Sequence, residues 1–304
     1  MLRVFTFLAL FALPVMASED CLVDVSEGLT AKVLLQLKTC EEPVLIRGTV
    51  ADPKDYPAVV WIGNCTATLI GPRTLITAAH CTTRAASFTV GASRYTSACV
   101  GSGFYPRNST SDYSICYTNR AVDLPFYESL EMDASKVKVG DWVQLSGFGC
   151  QSWGGRLDGQ YRVGRARVSR VPSGSNNDVV AGNGATLCSG DSGGPAWTLK
   201  ANGDRDKIFG VNSRSDTRVT SFISSYFTSN GKSNISDYLN RYPSAKICGV
   251  HADAPKCREA KPLEPVKFVV DVPKTMLEVI VQPIAKYTPA FAKEMFEMVL
   301  GGEE

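Results

Sequence analysis

Residues 188–195 form a short segment of the kind in which a serine side chain can act as a nucleophile. Ser192 stands between Asp191 and two glycines, and Pro195 closes the segment. Glycine allows tight left-handed turns and proline removes a backbone donor, so a turn is expected here rather than a helix or a central strand. Such a turn can direct the N–H groups of Gly190 and Ser192 into one small space beside the Ser192 hydroxyl. The segment therefore predicts a nucleophile together with donors for a developing oxyanion.

A serine hydroxyl is a weak nucleophile unless a base removes its proton, and histidine is the usual base. The chain has only two histidines. His80 lies in a short apolar run that ends in small residues, at positions 75–81, whereas His251 lies between Cys248 and Cys257 and is interpreted as an exposed loop residue. His80 is therefore the predicted base. Taken singly, each motif also allows a plain turn or a core histidine, but the two together favour chemistry.

The two motifs together resemble those of the chymotrypsin-like serine proteases, also called trypsin-like. The family's Thr-Ala-Ala-His-Cys stands here at residues 77–81, and its Gly-Asp-Ser-Gly-Gly-Pro stands at residues 190–195. The histidine precedes the serine in the chain, which is the family's order. The resemblance implies a Ser-His-Asp triad that contains His80 and Ser192, with the amides of Gly190 and Ser192 as the oxyanion hole.

The resemblance also implies an aspartate between the histidine and the serine. Asp112 is the predicted residue, because the family's aspartate comes just ahead of a short apolar strand and residues 113–115 have that character. Asp123 and Asp133 are the alternatives that the sequence leaves open. Asp123 is less favoured because its surroundings are typical of the exit from that strand.

The first residues of the chain are typical of a secretory signal. Arg3 provides a positive end, residues 4–16 an apolar stretch, and residues 15–17 a cleavage site with small residues. A membrane anchor is the weaker interpretation, because the apolar run is shorter than the ~20 residues that cross a bilayer. No other stretch is long enough to be a transmembrane segment. The mature chain is expected to begin near Ser18 and to be secreted into an extracellular or periplasmic space.

All ten cysteines follow residue 17, an even number that an oxidising compartment could pair completely. The resemblance implies a bridge between Cys65 and Cys81, which in the family holds the histidine loop. The other pairs are suggestions that sequence alone leaves open: Cys99–Cys116, Cys150–Cys188, Cys21–Cys40 and Cys248–Cys257. Zinc binding is disfavoured because cysteine and histidine lack a close ligand spacing. Neither a metal nor an organic cofactor is expected.

The composition and the segment pattern predict an all-β domain. The net charge of +2 gives no reason to expect a nucleic acid or an acidic polymer as partner. Short β-branched segments bounded by turns recur along the chain, at residues 58–62, 66–70, 74–76, 87–90, 142–145, 161–163 and 208–212. A helix is expected at about residues 235–241. Combined with the resemblance, this pattern predicts two packed six-stranded antiparallel Greek-key barrels, a C-terminal helix, and the triad between the barrels.

The chain is divided into four predicted parts: a signal peptide (1–17), a pro-segment (18–44), a peptidase domain (45–245) and a C-terminal extension (246–304). In the family, a cut ahead of the domain frees an ammonium that pairs with the aspartate preceding the serine, here Leu45 and Asp191. Val44 rather than lysine or arginine precedes that bond, and Arg47 replaces the family's first glycine. An activating protease of another preference, or another partner for Asp191, is therefore expected.

The resemblance places Thr186, six residues before the serine, at the floor of the primary specificity pocket. An aspartate at that place would select basic side chains, so a preference for uncharged, small to medium side chains of protein or peptide substrates is predicted. Ser213, Ser215 and Ser224 are the predicted walls, and Arg214 stands where the family usually has tryptophan. The predicted function is a secreted serine endopeptidase. The alternative is a non-catalytic or latent homologue that acts as a binding or regulatory module, which the unusual activation region and the extension favour.

Overall fold

The structure is a computed structural model, and it describes residue 46 and residues 48–82, 84–216 and 219–258. These residues belong to one compact unit, which extends to Arg258. The predicted signal peptide, the pro-segment with Cys21 and Cys40, Leu45, and residues 259–304 lie outside the described residues. Within the part of the chain that is described, no helix is both long and apolar enough to cross a lipid bilayer.

The first sheet is antiparallel and has six strands. They are β2 (Val59–Trp61), β3 (Thr66–Gly71), β4 (Thr74–Thr77), β5 (Ala85–Val90), β6 (Ser93–Gly101) and β7 (Ser114–Thr118), which follow the short β1 (Thr49–Val50). Their order across the sheet is β2-β3-β4-β7-β6-β5, and the two end strands contact each other, so the sheet curls into a barrel. Every residue of β3 and β4 is buried, which explains the nearly continuous apolar and threonine-rich sequence of these strands.

The second sheet is closed. It contains β8 (Trp142–Gly147), β9 (Arg162–Arg170), β10 (Asp178–Gly182), β11 (Pro195–Leu199), β12 (Arg205–Ser215) and β13 (Thr220–Ser225). Their order is β9-β10-β13-β12-β11-β8, β8 pairs back onto β9, and β1 adds to the outer edge of β9. In β9, buried Ala166 and Val168 alternate with the exposed Arg165 and Arg167. This two-residue period is typical of a strand with one solvent-exposed face. The predicted two-barrel fold is confirmed.

The helix that follows the second barrel, α1 (Ser229–Arg241), begins six residues before the predicted start. The Thr228 side chain caps it by accepting a hydrogen bond from the Gly231 N–H, and this cap lets a segment of poor helix formers begin the helix. Ile235 and Tyr238 are buried, and the Tyr238 hydroxyl lies 2.9 Å from Oγ1 of Thr74 in β4. The helix thus packs against the first barrel.

Four disulfides join cysteines of the described residues: Cys65–Cys81, Cys99–Cys116, Cys150–Cys188 and Cys248–Cys257. All four are pairs that the sequence suggested. Residues 246–258, assigned from the sequence to the extension, instead pack on the first barrel. The Cys248 N–H donates to the Ile70 carbonyl at 2.8 Å, and Arg258 Nε donates to Glu128 at 2.7 Å. The compact unit therefore includes these residues up to Arg258.

Candidate active site

His80 lies in a single 3₁₀ turn, Ala79–Cys81, directly after β4. The Cys65–Cys81 disulfide ties this turn to the start of β3. Its ring Nδ1 lies 2.6 Å from Asp112 Oδ2, and its backbone N–H donates to Asp112 Oδ1 at 2.9 Å. The imidazole side chain is 34% exposed whereas the carboxylate is 3% exposed. One buried carboxylate therefore fixes both the backbone and the ring of His80, and the ring stays open to solvent.

Asp112 stands just ahead of β7, and two serines contact it from the second barrel. The Ser213 hydroxyl donates to Asp112 Oδ2 at 2.7 Å, and the Asp112 N–H donates to the Ser224 hydroxyl at 3.3 Å. The two alternative acids have other contacts. Asp123 forms an exposed ion pair with Lys256, and Asp133 accepts the Ser135 N–H at the start of a 3₁₀ helix, Ala134–Lys136. Of the three acids that the sequence proposed, Asp112 is the one that contacts His80.

The loop that carries Ser192 adopts backbone conformations that require glycine at two positions. Gly190 has φ +102° and Gly193 has φ +77°, and a Cβ at Gly193 would lie 2.0 Å from Thr77 Oγ1. The Ser192 carbonyl accepts a hydrogen bond from the Thr66 N–H at 2.8 Å, so the loop is held against β3. The glycines on both sides of Ser192 are thus explained by turn geometry and by close approach to the first barrel.

Thr66 is a residue of this site that sequence reasoning missed. Its buried hydroxyl donates to the Gly190 carbonyl at 2.8 Å and accepts the Phe148 N–H at 3.2 Å. One hydroxyl thus connects β3, the Ser192 loop and the segment after β8. The only sequence signal was its position directly after Cys65. Among the described residues, no side chain hydrogen-bonds the half-buried Ser192 hydroxyl itself.

Asp191 is completely buried beside Ser192. Oδ1 accepts the Gly149 N–H and Oδ2 accepts the Cys188 N–H, both at 2.8 Å. Burial raises the pKa of Asp191 to about 7, against the lowering effect of these two N–H donors and of the nearby Arg162 charge. A Cβ at Gly149 would lie 2.4 Å from the carboxylate carbon, so the glycine is needed for the carboxylate to fit.

Arg162, the first residue of β9, is 1% exposed and contacts the same region. Nη1 donates to Asp158 Oδ1 at 2.9 Å and to the Gly149 carbonyl at 3.4 Å, while Nη2 bonds the other Asp158 oxygen. Ile46, at the N-terminal side of the domain, also lies near this region. Its N–H donates to the Thr186 carbonyl at 3.2 Å, and its carbonyl accepts the Thr186 N–H at 3.1 Å. Leu45, which precedes it, lies outside the described residues.

The four residues that the sequence assigned to the specificity pocket lie in different places. Thr186 is buried and pairs with Ile46, and Ser215 is half-buried at the end of β12. The hydroxyls of Ser213 and Ser224 point to carboxylates instead, the former to Asp112 and the latter to Asp178 at 3.1 Å. Ser221 is the strand neighbour of Ser215, and its hydroxyl accepts the Leu187 N–H at 3.1 Å. Ser221 is not among the residues that the sequence proposed for the pocket.

One group of potential metal ligands occurs among the described residues: Cys65, His80 and Cys81. The two sulfur atoms are bonded to each other in a disulfide, so they do not offer the thiolates that zinc takes. These residues therefore form a disulfide beside a histidine that a carboxylate holds.

Two packed antiparallel barrels, with a histidine–aspartate pair on one and a glycine-bounded serine loop on the other, define the chymotrypsin-like class of folds. A family model described as Trypsin matches residues 45–229, more than half of the 304 residues. The chain belongs to the trypsin family. No curated protein matches the chain in sequence.

Solved structures that resemble the chain include two of heparin binding protein. The atomic-resolution structure of HBP is 24% identical in sequence to this chain, with a TM-score of 0.52. The match covers 67% of this chain and 99% of the HBP chain. Human heparin binding protein is 22% identical with the same TM-score and the same coverage. At these identities the likeness supports the fold.

Proposed function

We propose that this protein is a secreted serine endopeptidase, which hydrolyses peptide bonds through an acyl-enzyme on Ser192. The observation that carries the proposal is the short hydrogen bond between His80 and Asp112, in a chain of the trypsin family whose Ser192 loop has glycine conformations on both sides. Four disulfides and the predicted signal peptide support secretion.

The proposed reaction begins when Ser192 Oγ attacks the carbonyl carbon of the substrate and His80 Nε2 takes the hydroxyl proton. The carbonyl oxygen becomes an oxyanion, which the N–H groups of Gly190 and Ser192 stabilise. His80 then gives the proton to the leaving amine, and the C–N bond breaks to leave the acyl-enzyme. Water repeats the sequence on the ester and frees Ser192. Throughout, the Asp112 carboxylate stays ionised, accepts a hydrogen bond from the Nδ1–H of His80 and stabilises the imidazolium.

The proposed substrates are proteins or peptides with uncharged, small to medium side chains before the cut bond. Thr186 at the floor offers no carboxylate for a lysine or an arginine. Ser215 and its strand neighbour Ser221 place hydroxymethyl groups on facing positions of β12 and β13, which supports a narrow pocket. If the protein cleaves a panel of peptides mainly after arginine, this proposed specificity is contradicted.

The proposed activation is a cut between Val44 and Leu45 by a protease that does not require a basic residue. Support comes from the two hydrogen bonds between Ile46 and Thr186, which bring the chain next to Leu45 close to the segment that leads into Asp191. A buried carboxylate without a cationic partner is costly, so the new ammonium of Leu45 would stabilise the loop.

The second candidate is a binding or latent protein on the same fold. Two observations favour it: the structural neighbours are named for binding heparin, and the Ser192 hydroxyl has no hydrogen-bond partner among the described side chains. Catalytic hydrogen bonds are often loose before substrate binds, so the second observation is also compatible with an enzyme.

The experiment that tests the proposal is labelling of the secreted protein with a fluorophosphonate, followed by mass spectrometry of the labelled peptide. The wild-type chain and Ser189→Ala, a matched change at an exposed serine of the same loop, should be labelled at Ser192, and Ser192→Ala should not. Sequencing the N-terminus of the labelled species gives the activating cut. Absence of label on the folded, oxidised and cut chain would favour the binding protein.

A further inference from the structure

Behind Asp112 lies a second buried carboxylate, Asp178 of β10, which the triad does not use. Asp178 is completely buried, and Oδ2 pairs with Arg214 Nη2 at 2.5 Å. The guanidinium also stacks over the Phe222 ring at 4.7 Å and donates to the Ser109 carbonyl at 3.2 Å. Arg214 is 38% exposed, so one end of this ion pair reaches the surface.

Two serines connect this ion pair to Asp112 and complete a closed ring of hydrogen bonds. Arg214 Nη1 donates to the Ser213 hydroxyl at 3.3 Å, and that hydroxyl donates to Asp112 Oδ2 at 2.7 Å. On the other side, the Asp112 N–H donates to the Ser224 hydroxyl at 3.3 Å, and that hydroxyl donates to Asp178 Oδ1 at 3.1 Å. Each hydroxyl has one donor and one acceptor as neighbours, so its proton has only one favourable direction.

We infer that Asp178 and Arg214 are positioning residues of the triad, which orient Ser213 and Ser224 onto Asp112 and balance the charge beside the His80–Asp112 pair. The catalytic consequence of this inference rests on the proposed function. The arrangement also gives a role to Arg214, a residue to which the sequence motifs assign none. Asp178 accepts from Ser224, which leaves the Ser224 oxygen to accept the Asp112 N–H, and Arg214 polarises the Ser213 hydroxyl toward the carboxylate.

The charge balance has opposite consequences when either partner is removed. Without Asp178, the Arg214 charge has no buried counter-ion and disfavours a second positive charge on His80. Without Arg214, the Asp178 carboxylate favours a positive charge on His80. Burial raises the pKa of Asp178 and Arg214 lowers it, so removing Arg214 raises that pKa further and makes the effect of the Asp178 charge on His80 smaller.

Among the described residues, three tyrosines also interact electrostatically with members of this ring. Burial raises the pKa of Tyr113 to about 12 and that of Tyr226 well above its ordinary value, and the pKa of Tyr105 is also raised. All three hydroxyls are neutral over the range in which a histidine titrates. These three tyrosines therefore contribute no change of charge near His80 over that range.

The test is an NMR titration of the purified protein labelled at histidine, which has only two histidine signals. Relative to wild type, Asp178→Asn should move the His80 titration midpoint down by about half a pH unit, and Arg214→Met should move it up by a smaller amount. The double variant should return close to the wild-type midpoint. His251, whose Nδ1 accepts the Ile247 N–H, serves as the internal reference.

Glu128→Gln is the matched control, because Glu128 is also completely buried and is paired with Arg205 and Arg258. It should leave the His80 midpoint unchanged. Midpoints that move in the same direction in both single variants, or that match wild type, would overturn the inference. If a single variant does not fold, Ser224→Ala, which keeps the ion pair and breaks the ring, should still broaden or shift the His80 Nδ1 proton signal; an unchanged signal would overturn the inference too.

Peptide hydrolysis is measured on the same proteins, and the acid limb of kcat/KM should shift parallel to the titration. If the wild-type protein is inactive but the His80 midpoints of the two single variants still move in opposite directions, the proposed function is contradicted and the ring remains supported. If the wild-type protein is active but the midpoints of the variants match that of wild type, the inference about the ring is contradicted and the proposed function remains supported.

Discussion

Asp112 and Asp191 are two buried aspartates of one site, and their surroundings differ sharply. Asp112 contacts the His80 ring, the His80 N–H and the Ser213 hydroxyl. Asp191 accepts two backbone N–H groups, and among the described residues no cationic side chain hydrogen-bonds it. Burial raises the pKa of Asp191 to about 7. The difference teaches that the proposed catalytic carboxylate is satisfied by side chains and backbone of the folded domain, whereas the carboxylate of the serine loop is held by backbone N–H groups and would gain a cationic partner only through the proposed cut.

The largest expected effect on catalysis comes from changing Asp112. Asp112→Asn keeps the shape but replaces a carboxylate oxygen with an amide that opposes the required imidazole tautomer, so we expect kcat to fall by about 10⁴-fold. Peptide hydrolysis by the cut protein measures it.

Asp123→Asn and Asp133→Asn are the controls for this change, since the sequence offered both acids as alternatives. Each should retain hydrolysis within about twofold of wild type. A large loss in either variant, with Asp112→Asn active, would reassign the third triad member.

A smaller effect is expected where the serine loop meets the first barrel. Thr66→Val keeps the shape of the side chain but removes the hydroxyl that bonds the Gly190 carbonyl and the Phe148 N–H. Because the Gly190 N–H is a proposed oxyanion donor, kcat should fall about tenfold while KM changes little.

Thr66→Ser should restore most of that loss, because it keeps the hydroxyl. Urea unfolding of both variants separates loss of the fold from loss of the donor geometry. Full activity in the valine variant together with loss in the serine variant would mean that the methyl group and not the hydroxyl matters at this position.

The aspartate of the serine loop predicts a pH dependence of stability. The folded-state pKa of Asp191 is about 7 and its ordinary value is 3.8. Between these values the unfolded chain has released the proton and the folded chain still holds it, so the free energy of unfolding of the uncut chain should fall as pH rises from about 4 to about 7. The raised pKa of Asp178 acts in the same direction.

Urea unfolding at pH 4.5 and pH 7, with the disulfides intact, measures this difference. In the chain cut at Val44–Leu45, the new ammonium should lower the pKa of Asp191 and reduce the fall in stability. A cut chain with the same pH dependence as the uncut chain would show that Leu45 does not pair with Asp191.

The comparison also separates what the sequence can predict from what it cannot. His80 and Ser192 lie in local motifs whose residues set the turn themselves, and Cys99 and Cys116 lie on neighbouring strands of the first barrel. The ring behind Asp112 was not predictable, because Asp178, Arg214 and Ser224 come from three strands, β10, β12 and β13, whose pairing depends on the tertiary fold.

Boundaries were the other part that the sequence could not supply. The helix α1 begins early because the Thr228 cap compensates for a serine, an asparagine and a glycine in its first turn. The domain continues to Arg258 because a local disulfide and a buried acid, Glu128, hold the segment. The cap is a single side chain ahead of the helix, and the contact between Arg258 and Glu128 joins residues far apart in the chain, so neither leaves a periodic pattern in the sequence.

The most direct test of the central claim is the intact mass of the cut protein, quenched in acid during turnover of a p-nitrophenyl ester. We predict that the mass increases by that of the acyl group, that peptide mapping locates this group on Ser192, and that Ser192→Ala neither turns over the ester nor gains the mass. Ester turnover with no adduct, or an adduct on another residue, would contradict the proposed mechanism.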